Sequence, residues 1–195
     1  MTNFMQQSLA SAATGAPVWL HDWQQDGRAR WQASVLPTRK TEQWKYTSLQ
    51  VLQQPFSPAA GGDMVLAEAG VDLPDFGGCC LVFVNGYYRE ELSAIDLPDG
   101  VKLVRFADAD QAQAQRIRNH LGTAIGADQL LFAALNDAVL SEGVFLEIAP
   151  GVRVEQPLHV VWLTGNQDGA FAVNQRLLMV CGQASQACLI EHFAG

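Results

Sequence analysis

The chain has 195 residues, of which 49% are hydrophobic and 16% charged, a composition that can form a folded core and excludes a largely disordered protein. Its 20 acidic and 12 basic residues give a formal net charge of −8, whereas a nucleic-acid-binding protein needs a basic surface for phosphate contacts. No stretch has the length of a membrane span or the pattern of a secretory signal, and four cysteines are too few for a disulfide framework. We therefore expect a cytoplasmic protein with neither a nucleic-acid nor a membrane partner.

The first predicted helices surround Gly27. Two pairs of apolar residues lie four positions apart on either side of this glycine, Trp19 with Trp23 and Trp31 with Val35. The spacing predicts two short amphipathic helices or one bent helix. The segment should end at Leu36, because a residue that precedes proline disfavours the helical region.

The next elements are marked by local capping and turn signals. Thr47 with Gln50 matches a capping box and predicts a short helix, and residues 54–62 are typical of a linker. Residues 79–84 predict a strand, and Asn85-Gly86 after it is the strongest two-residue hairpin signal.

Two further helices should precede Ser141. Val101 to Phe106 alternates as a strand does, and Asp108 with Gln111 predicts the start of a helix after it. Asp128 is the predicted N-cap of the last helix. The apolar residues of that helix are spaced by four and should face a core: Leu131, Leu135 and Val139.

Residues 142–195 contain only strand signals. Strands are predicted at 144–149, 152–154, 157–163, 170–181 and 187–193, separated by glycine-containing turns. The sequence thus predicts an α+β chain, with a mixed α/β domain over residues 1–141 and the beginning of an all-β domain over residues 142–195. Because the last strand is followed by only two residues, we interpret the all-β domain as truncated.

The segment Leu36-Pro-Thr-Arg-Lys-Thr-Glu-Gln-Trp-Lys-Tyr-Thr-Ser-Leu49 resembles the signature near the N-terminus of SufD proteins. It matches each fixed position of that signature, from the proline, threonine, arginine and lysine to the Trp-Lys-Tyr-Thr run. Residues 81–87 are similar to the family's hairpin, and residues 134–158 and 190–193 are similar to parts of its core. The resemblance implies that the all-β domain contains the first coils of a right-handed parallel β-helix.

The same resemblance implies a non-catalytic scaffold role in iron–sulfur cluster assembly. The implied partners are a SufB-like paralogue and a SufC-like ATPase, which docks on C-terminal helices that this chain lacks. The implied cofactor is a transient cluster in the full complex, with none held by this chain. The cysteine and histidine that the SufD family contributes to the cluster site correspond to positions beyond Gly195, so we assign no catalytic, cofactor-binding or metal residue here.

Cysteines and histidines are the residues that a metal or cluster site would use, and their spacing predicts no such site. Cys79 and Cys80 are adjacent in a strand and should point to opposite faces, while Cys181 and Cys188 lack the spacing of a compact site. We interpret all four as packing residues. We interpret His159 as a satisfied or solvated side chain, although a neighbouring strand could pair it with a carboxylate. Glu191 and His192 should point to opposite faces of one strand and so form no acid–base pair, and His21 and His120 lie in predicted helices without a cysteine or carboxylate at ligand spacing.

Two other functional interpretations remain open. Trp44 with Arg39 and Lys45 could form a recognition surface, although Trp44 and Tyr46 more simply anchor the segment to the first domain. The rival classes for the whole chain are a β-helix carbohydrate-active enzyme, a hexapeptide-type acyltransferase and a stand-alone interaction module. The strands are too long and irregular for a hexapeptide repeat, and residues 143–195 contain few of the clustered acids that a carbohydrate-active enzyme would need.

Overall fold

The computed structural model of the chain describes residues 3–10, 15–59, 73–125, 130–165 and 167–195. In chain order the helices and strands are α1 (Asn3–Ala10), α2 (His21–Ala33), β1 (Ser57–Pro58), β2 (Cys80–Val84), β3 (Tyr87–Tyr88), β4 (Val101–Arg105), α3 (Gln111–His120), α4 (Leu131–Val139), β5 (Glu142–Ile148), β6 (Leu158–Leu163), β7 (Phe171–Ala172), β8 (Gln175–Cys181) and β9 (Leu189–Ala194). Within the described residues, no helix combines the length and the apolarity that crossing a membrane requires.

The chain divides into two compact units, each assembled from separate stretches of sequence. Unit 1 comprises Met1–Ala59, Ala114–Ser141 and Asp168–Gln175, and unit 2 comprises Ala60–Gln113, Glu142–Gln167 and Arg176–Gly195. One unit boundary falls between residues 141 and 142. The division into two consecutive domains at that point stays a prediction.

Helices α2 and α4 form the centre of unit 1. They approach so closely that a Cβ atom at Gly27 would lie 2.5 Å from the backbone nitrogen of Ala138. This glycine therefore permits close packing, and α2 continues through it as a single helix in place of two short ones. Val35 lies beyond the end of α2 and is 86% exposed, so its predicted pairing with Trp31 is wrong.

The core of unit 1 is rich in aromatic residues. Trp31 is fully buried, and its ring meets that of Phe4 edge-on at a centroid distance of 6.0 Å. The predicted apolar stripe of α4 is confirmed, because Val139 is buried and Leu131 and Leu135 pack against the same cluster.

Polar side chains of α2 bind the end of α4. The amide of Gln24 donates a hydrogen bond to the carbonyl oxygen of Leu140 (2.7 Å), and Arg28 donates one to that of Ala138 (3.2 Å). The last carbonyls of a helix have no partner within the helix, so these bonds satisfy groups that would otherwise be buried and unpaired. Arg30 also pairs with the buried carboxylate of Asp137 at 3.0 Å.

Helix starts differ from the predicted caps. At α3 the reciprocal cap is formed by Asp110 and Gln113, each accepting a hydrogen bond from the other's backbone nitrogen (2.8 and 2.9 Å). Asp108 instead ends a short 3₁₀ helix and pairs with Arg105, so its predicted capping role is wrong. The predicted cap Asp128 lies outside the described residues, as does part of the predicted linker over 54–62.

The capping box predicted at Thr47 is also wrong. Residues Gln50–Gln53 form one turn of 3₁₀ helix, and the hydroxyl of Ser48 accepts the hydrogen bond from the Gln50 nitrogen at 3.3 Å. Ser48, and not Thr47, therefore accepts the hydrogen bond at the start of this turn, as short polar side chains next to a turn often do.

The hairpin predicted in unit 2 is confirmed. Asn85 and Gly86 both have positive φ angles (51° and 86°), which is the requirement of a type I′ turn. They join β2 to the antiparallel strand β3. The order of strands in this sheet is β3-β2-β6-β9, with β2, β6 and β9 mutually parallel.

A second sheet has the order β4-β5-β8, and β4 runs antiparallel to β5. Alternate residues of both sheets contribute to one buried cluster, which includes Leu81 and Phe83 of β2, Leu146 and Ile148 of β5, and Val160 and Trp162 of β6. Because successive side chains of a strand point to opposite faces, one face of each sheet lies in this shared core.

Two successive passes of the chain stack on each other in unit 2. Strand β8 lies beside β5, and β9 lies parallel to β6 with Leu158 opposite Leu189. The turns between the strands stack as well, because the Gly151 nitrogen donates to the Gln183 carbonyl (2.9 Å) and the Val154 nitrogen to the Gln186 carbonyl (2.8 Å). Paired residues are roughly 30 positions apart, a repeat length that occurs in solenoid proteins.

The remaining strands follow the sequence less closely. The strand predicted over 170–181 is divided into β7 and β8, and residues 152–154 form only an isolated bridge between Arg153 and Gln186. Short β7 pairs with β1 within unit 1, in parallel. The single predicted strand therefore contributes β7 to unit 1 and most of β8 to unit 2. Hydrophobic periodicity alone does not predict this division.

Candidate functional site

The segment Pro37–Leu49 is a series of turns on unit 1. The hydroxyl oxygen of Thr41 accepts a hydrogen bond from the Thr38 nitrogen and that of Thr38 accepts one from the Lys40 nitrogen, both at 3.2 Å. The exposed cations Arg39 and Lys40 follow directly in this turn. Local side-chain bonds of this type hold a turn without regular secondary structure.

The aromatic residues of this segment behave differently from one another. Trp44 is half-buried, with its ring 5.4 Å from that of Phe132. Tyr46 is 91% exposed, and its described ring contact is with the ammonium group of Lys45 at 5.3 Å. The anchoring role is therefore confirmed for Trp44 and wrong for Tyr46, because the turn at Lys45 directs Tyr46 into solvent.

The four cysteines occupy two distinct environments. Cys79 is buried in the core of unit 2, as predicted, and Cys80 on the opposite face is half-buried. Cys181 and Cys188 are exposed, so the prediction that they pack in the core is wrong. They lie at the end of β8 and just before β9, each of which is the outer strand of its sheet among the described residues.

Burial keeps the two adjacent thiols protonated at neutral pH. It raises the pKa of Cys79 to about 11, with smaller contributions from the neighbouring Cys80 and Asp96. Burial, followed by the charge of Asp75, also raises the pKa of Cys80. Since the thiolate is the nucleophilic form, neither side chain is an activated nucleophile in this structure.

Parallel pairing of β2 with β6 brings Cys80 directly opposite His159. The Cys80 sulfur lies 3.7 Å from Nδ1 of His159, although 79 positions separate the two residues in sequence. His159 is 2% exposed, and its ring stacks against that of His192 on β9 at a centroid distance of 5.7 Å. Phe76 covers the His159 ring edge-on at 5.0 Å.

The alternation of side chains therefore predicted the correct strand face for Cys80, His159 and His192. It did not predict that Cys80 and His192 each contact His159. The Cys80 sulfur is the partner of Nδ1, whereas Nε2 of His159 has no hydrogen-bond partner among the described residues, so the imidazole is satisfied at one nitrogen only and is not solvated. His21 is exposed and His120 is half-buried, and both lie in helices as predicted. Across the described ranges, no three His, Cys, Asp or Glu side chains converge on a point that could hold a metal ion.

His159 should make the stability of unit 2 depend on pH. Burial, and then the nearby His192, lowers the pKa of His159 below 6.5. In the unfolded chain the His159 imidazole binds a proton at about pH 6.5, whereas in the folded chain it binds that proton only at a lower pH. The contribution of His159 to the free energy of unfolding is therefore fully present above about pH 6.5. It is lost as the pH falls through the pKa of the folded state. We expect the urea midpoint to decline as the pH falls below about 6.5, and to decline less steeply in His159→Gln.

His120→Gln is the matched control, since it removes a histidine from unit 1. A decline that is shallower in His159→Gln than in both the wild-type protein and His120→Gln assigns the effect to His159. Equal slopes in the wild-type protein and His159→Gln would show that His159 does not carry the effect.

The family of this chain follows from its match to the sequence model of a known family. The family described as SufBD protein N-terminal region matches residues 2–160. The chain belongs to the SufBD family. An iron–sulfur cluster assembly SufBD family protein of Synechocystis sp. is 28% identical over 162 residues, covering 81% of this chain and 35% of that relative.

Two other SufBD relatives agree with this assignment. A second Synechocystis protein described in the same words is 28% identical over 111 residues, and one from Pyropia yezoensis is 30% identical over 105 residues. These matches cover 56% and 53% of the chain, and 22% and 20% of the relatives. The matched part of this SufBD chain therefore spans about a third or less of the length of each relative.

Proposed function

We propose that this chain is the N-terminal part of a SufD-type scaffold subunit of a cytoplasmic iron–sulfur cluster assembly complex. The observation that carries the proposal is the match of the SufBD N-terminal region to residues 2–160. The relatives from Synechocystis and Pyropia are named for iron–sulfur cluster assembly, which supports the same process here. The choice of SufD over SufB rests on the resemblance of residues 36–49 to the SufD signature.

The second part of the proposal is that residues 142–195 begin a right-handed parallel β-helix. Its support is the stacking of two passes of chain, in which β6 pairs in parallel with β9 and the intervening turns hydrogen-bond to each other. Each coil of such a solenoid buries its apolar face against its neighbours. In this arrangement β2 and β4 cover one end of the stack, because they pair with β6 and β5 of the first coil.

The subunit acts by assembly and performs no chemistry of its own in this proposal. Its partners are a SufB-like paralogue and a SufC-like ATPase, and the cluster is a transient product of the complex. Cys79 and Cys80 lie on opposite faces of one strand, so the two thiols cannot bind one cluster together, and the proposal assigns no resident cluster to this chain.

Co-purification tests this assignment. The full-length product of the gene is expressed with the SufB-like and SufC-like proteins of the same organism, with an affinity tag on the SufC-like protein. We expect a stoichiometric complex that survives gel filtration and sediments as one species. A SufC-like protein expressed without this subunit is the control. Separate sedimentation of the subunit at micromolar concentrations of all three proteins would contradict the proposal.

A further inference from the structure

Unit 1 contains an open cleft between residues 36–39 and residues 48–53. Its volume is about 880 Å³, which lies within the range of roughly 300–1,000 Å³ that is usual for ligand-binding clefts. The apolar part of its lining includes one buried and three half-buried side chains: Phe4, Leu36, Leu49 and Leu52. The cleft therefore has both the size and the apolar surface to hold a ligand.

The polar groups that line the cleft are suited to donate hydrogen bonds. The guanidinium group of Arg39 makes no hydrogen bond or ion pair with any described residue. The hydroxyl oxygens of Thr38 and Ser48 accept hydrogen bonds from the Lys40 and Gln50 nitrogens, which leaves both hydroxyl hydrogens able to donate. No Asp or Glu of the described residues lines the cleft. The lining thus favours a ligand with acceptor oxygens, and above all a carboxylate.

The charge of this segment differs from that of the rest of the chain. Residues 36–49 contain three cations and one acidic residue, a net charge of +2, so the remainder of a chain with a net charge of −8 carries −10. Lys40 and Lys45 are exposed and, like Arg39, form no ion pair with a described residue. The arginines that do pair with carboxylates lie elsewhere: Arg30, Arg89, Arg105, Arg118 and Arg153. An unpaired basic segment attracts an acidic partner.

The surface beside the cleft indicates a ligand longer than the cleft itself. Tyr46 is 91% exposed, and its ring lies 5.3 Å from the Lys45 ammonium group. Tyrosine is frequent in protein interfaces, because its ring gives apolar contact while its hydroxyl forms hydrogen bonds. Lys40, Lys45 and Tyr46 are not part of the cleft lining. A ligand that contacts them together with the cleft has to be an extended molecule.

We propose that this cleft binds an acidic peptide segment of a partner protein. An apolar side chain of the peptide packs against Leu49 and Leu52, and a carboxylate accepts hydrogen bonds from Arg39. Further acidic residues of the peptide lie beside Lys40 and Lys45. Nucleic acid fits this surface less well, because its phosphates are repelled by the −10 charge of the remaining chain. The proposal rests on the cleft and its charges and is independent of the proposed assembly function.

A peptide array tests the class of ligand. Three sets of short peptides are immobilised: acidic peptides with one leucine or phenylalanine at varied positions, the same peptides with serine in place of the apolar residue, and the same peptides with lysine in place of the acids. The fluorescently labelled chain is applied at physiological salt, and we expect it to bind only the first set. Equal binding to the serine set would reduce the interaction to unspecific charge attraction and overturn the proposal. Binding to the lysine set, or to no set, overturns it as well.

Variants test the residues in solution, with the array peptide that binds most strongly as the probe. Arg39→Ala should weaken the affinity about tenfold, and Arg39→Lys should weaken it less, because lysine keeps the charge but lacks the paired donors of arginine. Leu49→Ser should also weaken binding, and Leu49 is not a member of the described core cluster of unit 1.

Arg153→Ala is the matched control for Arg39→Ala. Arg153 is an exposed cation of unit 2 and does not line the cleft, so the affinity for the peptide should not change. Equal affinities of the wild-type chain and Arg39→Ala overturn the proposal. The same loss in Arg153→Ala as in Arg39→Ala overturns it too.

A further measurement uses the unaltered chain and so does not depend on whether a variant folds. The same peptide is titrated into the isotopically labelled chain, and we expect shifted amide resonances at residues 38–40 and 48–53. Shifts confined to other residues contradict the site. Displacement of the peptide by an equal concentration of inorganic phosphate would show a site for small anions only. Sedimentation of a dimer that the peptide dissociates would identify a second copy of the chain as the occupant, and either result overturns the proposal.

Discussion

Replacing Trp31 with alanine is expected to lower the free energy of unfolding of unit 1 by about 3–5 kcal/mol. The indole ring is fully buried, contacts the rings of Phe4 and Phe132, and donates hydrogen bonds from Nε1 to the Met5 carbonyl and the Ser8 hydroxyl at 3.2 Å each. Its removal leaves a large cavity and breaks both of these hydrogen bonds. Urea denaturation, combined with hydrogen exchange of the α2 amides, measures the loss.

Two less buried aromatic residues of unit 1 serve as comparisons for the Trp31 variant. Trp44 is half-buried against Phe132, so Trp44→Ala should lower the free energy of unfolding by about 1–2 kcal/mol, less than full burial would give. Tyr46 is 91% exposed, and Tyr46→Ala should change stability by no more than about 0.5 kcal/mol. A similar loss in all three variants would contradict the burial described for Trp31.

Gly182→Val is expected to destabilise unit 2 by about 3 kcal/mol, the upper end of the range for overpacked sites. Gly182 lies where the second pass of the chain crosses the first, and its nitrogen donates to the Ile148 carbonyl at 2.8 Å. A Cβ atom at this position would lie 2.5 Å from the Pro150 nitrogen and 2.8 Å from the Ala149 carbonyl carbon. Because both of these atoms belong to the backbone, the steric overlap can be removed only if the two passes of the chain move apart.

The control for this variant is Gln183→Val. Its exposed side chain sits in the same turn and gains the same branched group without meeting the first pass, so its effect should stay within about 0.5 kcal/mol. Hydrogen exchange should show faster amides in β5 and β8 of Gly182→Val and unchanged amides in Gln183→Val. If both variants exchange alike, the close stacking of the turns is wrong.

Local signals were sufficient to predict several elements of this fold. Asn85-Gly86 predicted its hairpin because a type I′ turn depends on two adjacent residues alone. The spacing of Leu131, Leu135 and Val139 predicted the buried stripe of α4 for the same reason. Both patterns are complete within one element, so no distant contact is needed to interpret them.

Features that depend on distant strands could not be predicted in the same way. The Cys80–His159 contact joins residues 79 positions apart and exists because β2 and β6 pair in parallel at one particular register. The exposure of Cys181 likewise depends on which strand lies beside β8, a property that its own apolar neighbours do not encode. Gly27 suggested either two short helices or one bent helix, whereas the approach of α4 to α2 explains why a glycine is needed there.

The proposed scaffold role is tested most directly by the cluster content of the complex. The SufB-like and SufC-like proteins are purified anaerobically with and without the full-length form of this subunit, supplied with iron and sulfide, and analysed for bound iron and acid-labile sulfide. We expect a stoichiometric cluster in the complete complex, little in the complex without this subunit, and none on the isolated chain. Equal cluster content with and without the subunit, or a stoichiometric cluster on the isolated chain, would contradict it.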